Sequence, residues 1–383
     1  MNSSAPAPSS GVADARRSLL RDLSLSAVTA GFVAVLVGFT SSVAIVFQAA
    51  TSLGATQAQL TSWMWALGLG MGLTSLLPAW WLRQPVMVAW STPGAAVLAA
   101  GAVGAAGSGG FNMAQATGAF IFCGALILLS GATGWFERVM NRLPMALAAA
   151  LLAGVLARFG LQAFTAAGSE LGLVATMLVT YLLGRRLASR YAVMAVLVVG
   201  MLWCVAAGQM RMESVSWALA VPVFTMPVFD LAAIISLGVP LFIVTMASQN
   251  LPGVAAIRAA GYDMPISKII SLTGIATLVL APFGAFALNL SAITAAICMG
   301  PEAHEDPKRR YVAAMTSGLL YTLLGTIGAG LATALKDEAD REAALITFLV
   351  TLSGVSILGV GSAFWGVVAG VLALVVQRSW KAR

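Results

Sequence analysis

Two short polar segments, which we call steps, interrupt apolar stretches of this chain. Their residues are of the types that bind an anion. The first step is Ser91-Thr92-Pro93-Gly94 and the second is Asn289-Leu290-Ser291. Each follows a proline and an extended apolar run, and each leads into small residues that predict a helix. Ser, Thr and Asn cap helix N-termini, where unpaired N–H groups attract negative charge. The pattern predicts two half-helices whose N-termini face a bound anion.

The composition places both steps in a membrane. The chain has 383 residues, of which 60% are hydrophobic and 9% charged, whereas a soluble domain carries about 25% charged residues. A backbone cannot face lipid unpaired, so a broken segment survives only beside a cavity or inside protein. A matched pair of broken segments is typical of the binding site of an inverted-repeat transporter. The alternative is that Pro and Gly are simply common in membrane helices.

Apolar runs predict about thirteen membrane segments, arranged in two halves around a linker at 209–228. The first half has 24–46, 59–81, the broken 85–100, 114–135, 143–164, 170–187 and 191–208. The second half has 229–248, 266–280, the broken 281–299, 311–334, 344–359 and 361–377. The predicted fold class is therefore an all-α polytopic membrane protein. Its two inverted repeats, 24–208 and 229–378, follow a disordered tail at 1–23.

Basic residues in the loops predict the orientation. Under the positive-inside rule, loops rich in basic residues are cytoplasmic. When each segment is counted as one crossing, all of these basic loops and the N-terminus fall on the same side. The net charge of +7 fits anionic lipid headgroups rather than nucleic acid. The residues are Arg16, Arg17, Arg21, Arg138, Arg142, Arg185, Arg186, Arg190, Arg258, Lys268, Lys308, Arg309 and Arg310.

Further polar and aromatic side chains lie near the two steps in the predicted fold. Two rings could flank a planar substrate, although lipid or core packing explains them equally well. Polar groups of the first and eighth segments could line the site, bond neighbouring helices or mark the water interface. Capping alone is the alternative for the serines and the threonine of the steps. The candidate substrate-binding residues are Thr40, Ser41, Trp90, Ser91, Thr92, Ser248, Gln249, Asn250, Phe286, Asn289 and Ser291.

Four motifs carry a resemblance to a known family. They are Gly38-Phe39-Thr40 to Gln48, Gln84-Pro85-Val86 with Trp90 to Gly94, Ser248 to Gly253, and Gly361-Ser362-Ala363-Phe364-Trp365-Gly366. With these motifs the chain resembles the benzoate membrane transporters, bacterial benzoate:proton symporters. It is more distantly similar to nucleobase-ascorbate and sulfate transporters.

The resemblance implies a fold of seven plus seven segments in the bacterial inner membrane, in which a core domain moves like an elevator against a gate. The core would comprise about 24–135 and 229–299, and the gate about 143–208 and 311–377. The nucleobase relatives have acidic residues where this chain has Ser248 and Leu288. Their loss suits an anionic substrate, because like charges would repel it.

The chain departs from the family in its second half. The family leads us to expect a further span between the eleventh segment and the charged loop Lys336 to Glu342. Without that span the second repeat is one span short, and the basic C-terminus lies on the outer side of the membrane, against the positive-inside rule. The gate is the part that this departure affects.

The predicted function is import of benzoate or a related aromatic carboxylate with a proton. No HExxH, GxSxG or phosphate-binding loop is present, so we expect no enzyme, cofactor or metal site. No carboxylate stands out as the proton carrier, and the proton could travel with the substrate. An anion uniporter or channel is the alternative, and a homodimer follows only by analogy with the wider fold.

Overall fold

A computed structural model describes residues 19–101, 110–142, 168, 170–187, 192–206 and 219–326. The predicted segments 143–164, 344–359 and 361–377 lie outside the described residues, as do the tail up to residue 18, the last motif and the charged loop.

The part of the first half that the structure describes is helical apart from one short strand and the connecting loops. Its longest helices begin at capping boxes, formed by Thr56 with Gln59 and by Asn112 with Gln115. Its elements are α1 (Leu19–Asp22), α2 (Leu25–Thr40), α3 (Val43–Ser52), α4 (Gln57–Leu82), β1 (Val88–Trp90), α5 (Thr92–Gly101), α6 (Met113–Ala132), α7 (Trp135–Asn141), α8 (Leu171–Leu187) and α9 (Ala192–Ala206).

The second half repeats the succession of long helices, short strand and half-helix. Its elements are α10 (Leu231–Ala259), α11 (Ile266–Leu280) with a 3-10 turn at Ala281–Phe283, β2 (Leu288–Leu290), α12 (Ile293–Met299), a 3-10 turn at Pro307–Arg309, and α13 (Tyr311–Thr326). Among the described residues, five helical stretches are long and apolar enough to cross a membrane. They are Leu25–Ser52, Gln57–Leu82, Met113–Ala132, Leu231–Ala259 and Ile266–Phe283.

Two predicted segments differ from the structure. The first breaks after Thr40 and resumes at Val43, so it is two helices rather than one. The eighth was expected to end at 248 but continues to Ala259, because Pro252 takes one of the first positions of a new helical stretch, where no N–H is needed. Wide π-type turns at Ile234–Gly238 and Met246–Asn250 interrupt this helix.

The two broken segments cross as an antiparallel pair. Val88 lies opposite Leu290, Ala89 opposite Asn289, and Trp90 opposite Leu288. The chain then continues into α5 after β1 and into α12 after β2. Half-helix α5 lies against α3 and α10, and half-helix α12 lies against α2 and α10.

Glycines bring α4 and α13 into close contact. A Cβ at Gly68 would lie 2.6 Å from the Cα of Gly325, and one at Gly72 would lie 2.7 Å from the Gly318 carbonyl oxygen. Such small-residue contacts are the usual way membrane helices approach closely. The sequence places α13 in the predicted gate, whereas it packs against α4 and α2 of the predicted core. The division into core and gate stays a prediction.

The basic loops that the sequence predicts to be cytoplasmic lie together at one end of the helices, which we call the basic end. A buried carboxylate, Asp22, accepts from Tyr311 Oη at 2.8 Å and lies 3.5 Å from Arg83 Nη1 and 3.4 Å from Arg309 Nε. Neighbouring loops join the same end through Arg258 Nη1 to Met140 O at 2.8 Å, Ser267 N to Glu137 Oε2 at 3.0 Å, and Tyr262 Oη to Pro307 O at 2.9 Å.

We expect Gly72→Val to lower the free energy of unfolding by about 1–3 kcal/mol, the usual cost of overpacking. Its Cβ would lie 2.0 Å from Thr322 Oγ1 as well as against backbone of α13. Thermal unfolding of the detergent-solubilised protein measures the effect. Leu73→Val, one position along on the exposed side of α4, is the control and should change little. Equal melting temperatures for the two variants would contradict the close approach.

Candidate substrate site at the crossed strands

The first strand needs partners for the N–H groups on its outer edge, because an unpaired N–H at this depth is costly. Helix α4 supplies both partners. The Val88 N–H donates to Ser75 Oγ at 2.9 Å, and the Trp90 N–H donates to Met71 Sδ at 3.2 Å. Residues of β1 are thereby held at a fixed depth against α4.

The second strand is held by two different helices. The Leu288 N–H donates to Thr277 Oγ1 of α11 at 3.2 Å, and the Leu290 N–H donates to Asn250 Oδ1 of α10 at 2.8 Å. The Asn250 amide in turn donates to Met246 Sδ at 3.1 Å. Asn250 therefore supports the strand. It ends the wide turn of α10, and such π-type turns are frequent at functional sites.

Successive side chains of a strand point to opposite faces, so the paired strands have a polar face and an apolar face. Pairing extends beyond the strands, since the Ser91 N–H donates to Ala287 O at 3.1 Å and the Ser291 N–H donates to Met87 O at 3.0 Å. One face therefore carries Ala89, Ser91, Asn289 and Ser291, with the apolar Met87 and Ala287 at its ends. We call this face the polar face. Within β1 and β2, Ala89 is the only residue that is not fully buried.

The side chain of Asn289 is the unusual feature of the polar face. It is fully buried, and its Nδ2 donates to the Leu290 carbonyl at 2.9 Å. Its Oδ1 is buried and has no hydrogen-bond partner. A buried polar atom without a partner calls for an explanation, and an absent ligand or water is one.

Hydroxyl groups surround the starts of the two half-helices. Ser91 Oγ accepts from the Gly94 N–H at 3.2 Å, as predicted for a cap, and also from Thr245 Oγ1 of α10 at 2.8 Å. Ser291 Oγ accepts from Thr294 Oγ1 at 2.7 Å rather than from a backbone N–H. Helix α5 has ten residues but α12 has seven, so the N-terminal charge of α12 is weaker than the sequence led us to expect.

The two predicted ring residues pack elsewhere. Trp90 lies on the apolar face, where its Nε1 donates to Ser42 Oγ at 2.9 Å and its ring lies 5.3 Å from that of Phe39. Phe286 is fully buried, with ring centroids 5.7 Å from Trp63 and 6.2 Å from Phe120. Core packing, the alternative considered from the sequence, describes both contacts.

Other candidates lie around the strands without joining the polar face. Thr40 Oγ1 donates to Leu36 O of its own helix at 2.7 Å, and Ser41 is exposed at the break. Ser248 is exposed and donates to Val244 O at 2.5 Å. The remaining candidates, Thr92 and Gln249, are half-buried.

Comparison with known proteins finds relatives that align with this chain over nearly its whole length. A family model described as Benzoate membrane transport protein matches residues 21–332 and 321–376. The "Inner membrane protein YdcO" of Escherichia coli (strain K12) is 44% identical over 375 aligned positions, covering 91% of this chain and 94% of that protein. The "Benzoate membrane transport protein" of Acinetobacter baylyi (strain ATCC 33305 / BD413 / ADP1) is 33% identical over 394 positions, covering 96% and 98%. Neither name describes an enzyme.

These alignments also bear on the prediction that the second half is one span short. Each is longer than the part of this chain that it covers, so both relatives contain residues that this chain lacks. The difference is close to the roughly 20 residues of one membrane span. The family match is in two pieces that overlap at 321–332, near the position where the sequence predicts a missing span.

We expect Thr277→Val to destabilise the protein by about 1–3 kcal/mol, because it leaves the buried Leu288 N–H without a partner. Thr273→Val is a matched control on the same helix. Both threonines are fully buried and donate to carbonyls of α11, but only Thr277 also accepts from the strand. Thermal unfolding in detergent should show the larger loss for Thr277→Val. Equal losses would mean that the strand does not depend on this bond.

Proposed function

The chain belongs to the benzoate membrane transport protein family, and on this basis we propose that it imports benzoate or a related aromatic carboxylate with a proton. Its relatives and its apolar helices make it a multi-pass inner-membrane protein. The observation that carries the proposal is the polar face, where a fully buried, unpartnered amide oxygen lies beside the start of a half-helix.

The carboxyl group of the substrate would bind Ser91, Asn289 and Ser291. Partial positive charge at the N-terminus of α5 favours its oxygens. The aromatic ring would lie beside Ala89, whose methyl group is the smallest side chain after the hydrogen of glycine and faces Asn289 across the strand pair. Thr92 at the start of α5 and Asn250 behind β2 would complete the site, while the Trp90 ring would brace β1 from its other face.

An inverted-repeat architecture is supported by the crossing itself. Each half contributes a strand of three residues followed by a half-helix, and the two strands run antiparallel. TM segments that enter from opposite sides produce this arrangement. The gathering of basic loops at the end that holds Asp22 supports a cytoplasmic N-terminus.

Elevator-type motion would carry the crossed strands relative to a gate. Strands and half-helices are bonded to α4, α10 and α11, so these elements would move together. Helix α8 packs with α9 and has no buried residue among those described. An exposed helix of this kind suits a separate gate, which residues outside the described part would complete. The homodimer stays a proposal by analogy.

Uptake of radiolabelled benzoate into proteoliposomes should rise with an inward proton gradient and stop when an ionophore collapses it. Protein-free liposomes at each pH are the control, because benzoic acid itself crosses lipid. Uptake through the protein that ignores the gradient would favour the alternative, an anion uniporter or channel. Folded protein without any benzoate uptake would refute the proposed substrate.

We expect Ala89→Leu to reduce benzoate uptake about tenfold or more, which corresponds to about 1.4 kcal/mol of lost binding. The added side chain would fill the space opposite Asn289. Ala96→Leu makes the same change at an exposed position of α5 and should transport normally. Both variants are compared with the wild type for expression and for a single symmetric peak on gel filtration. Normal uptake by folded Ala89→Leu protein would place the substrate elsewhere.

A further inference from the structure

We propose that the substrate binds as the protonated carboxylic acid, with its O–H donating to Oδ1 of Asn289. This inference rests on the proposed function and adds the protonation state of the bound molecule and the position of the coupled proton.

The orientation of the Asn289 amide is fixed by its neighbour. Its NH₂ group donates to the Leu290 carbonyl at 2.9 Å. Exchanging nitrogen and oxygen would place two acceptors against each other, so the oxygen is the atom left without a partner. A buried acceptor requires a donor, and a carboxylate has none to offer, whereas a carboxylic acid has its O–H.

The serines on the same face supply the complementary groups. Ser91 Oγ accepts two hydrogen bonds and Ser291 Oγ accepts one, and in the described part of the chain neither hydroxyl has an acceptor for its own proton. The polar face thus offers two hydroxyl donors and one amide acceptor. A carboxylic acid matches this set, because its carbonyl oxygen accepts and its O–H donates.

The charges around Asn289 favour a neutral ligand. Strand β2 packs against β1, α4, α10 and α11, and these elements contain no Asp, Glu or His in the described structure. Their charged residues are Arg258, in the last turn of α10, and the exposed Lys268 of α11, both at the basic end. On α12 the titratable group is the buried Cys298. A carboxylate would therefore lose its hydration without gaining an opposite charge.

The proton balance is simple. One benzoate anion and one proton from the same aqueous side form the bound acid, and both are released together on the other side. No protein group changes its charge, and no net charge crosses the membrane. The N-terminus of α5 would then stabilise the partial negative charge of the acid's carbonyl oxygen.

Equilibrium binding to the detergent-solubilised full-length protein between pH 5 and pH 8 tests the inference, with three probes. The apparent affinity for total benzoate should fall about tenfold per pH unit above the carboxyl pKa, near 4, because only the acid binds. Benzamide, which offers an N–H donor and a carbonyl but does not ionise, should bind independently of pH. Benzenesulfonate, which stays an anion throughout, should not compete.

A variant locates the effect. Asn289→Ala should weaken binding of benzamide, and of benzoate at pH 5, about tenfold, the effect of one hydrogen bond. Asn141→Ala, at the exposed last residue of α7 at the basic end, is the control and should bind like the wild type. The probe measurements on wild-type protein give the answer independently if Asn289→Ala does not fold.

Three results would overturn the inference. Competition by benzenesulfonate, with benzoate affinity independent of pH, would show that the anion binds, and the proposed function would stand. Unchanged affinities in folded Asn289→Ala protein would show that water or another group satisfies Oδ1. Absence of benzoate binding by folded wild-type protein at every pH would remove the proposed function as well.

Discussion

The need to pair every backbone N–H at membrane depth governs the centre of this protein. Two crossed strands of three residues form hydrogen bonds with each other along their inner edges only, which leaves four N–H groups pointing outward. Side chains of three helices accept hydrogen bonds from these groups: Ser75 and Met71 of α4, Thr277 of α11, and Asn250 of α10. Each bond contributes little alone, but an unmade bond would cost about 1–3 kcal/mol. The strands are consequently fixed to α4, α10 and α11 as one unit.

A rigid centre explains why one unpartnered atom is informative. The outward N–H groups of the two strands all have partners, and one of these partners is the thioether of Met71. The Asn250 amide donates to a second thioether, that of Met246. The face that carries Asn289 also holds the serines that begin the two half-helices. We propose that structure and binding use the same segments, in which Trp90 anchors the apolar face and the polar face binds the ligand.

Sequence alone predicted the broken segments well, because proline, small residues and polar steps have local physical causes. Most described spans agree to within a few residues, and Ser91 caps its helix as expected. Tertiary packing decided the rest. The sequence suggested that the rings of Trp90 and Phe286 could flank a ligand. In the structure, Trp90 donates a hydrogen bond to Ser42, and the ring of Phe286 packs against that of Trp63. The support from Thr277 was missed because a threonine in an apolar helix usually bonds its own backbone.

We propose that the ligand binds on the polar face of the crossed strands. A structure of the protein with 4-iodobenzoate bound, with iodine located by anomalous scattering, tests it most directly. We expect the carboxyl group to lie against Ser91 and Asn289, with the iodinated ring extending past Ala89. A ring stacked on Trp90, or iodine distant from the crossed strands, would contradict it.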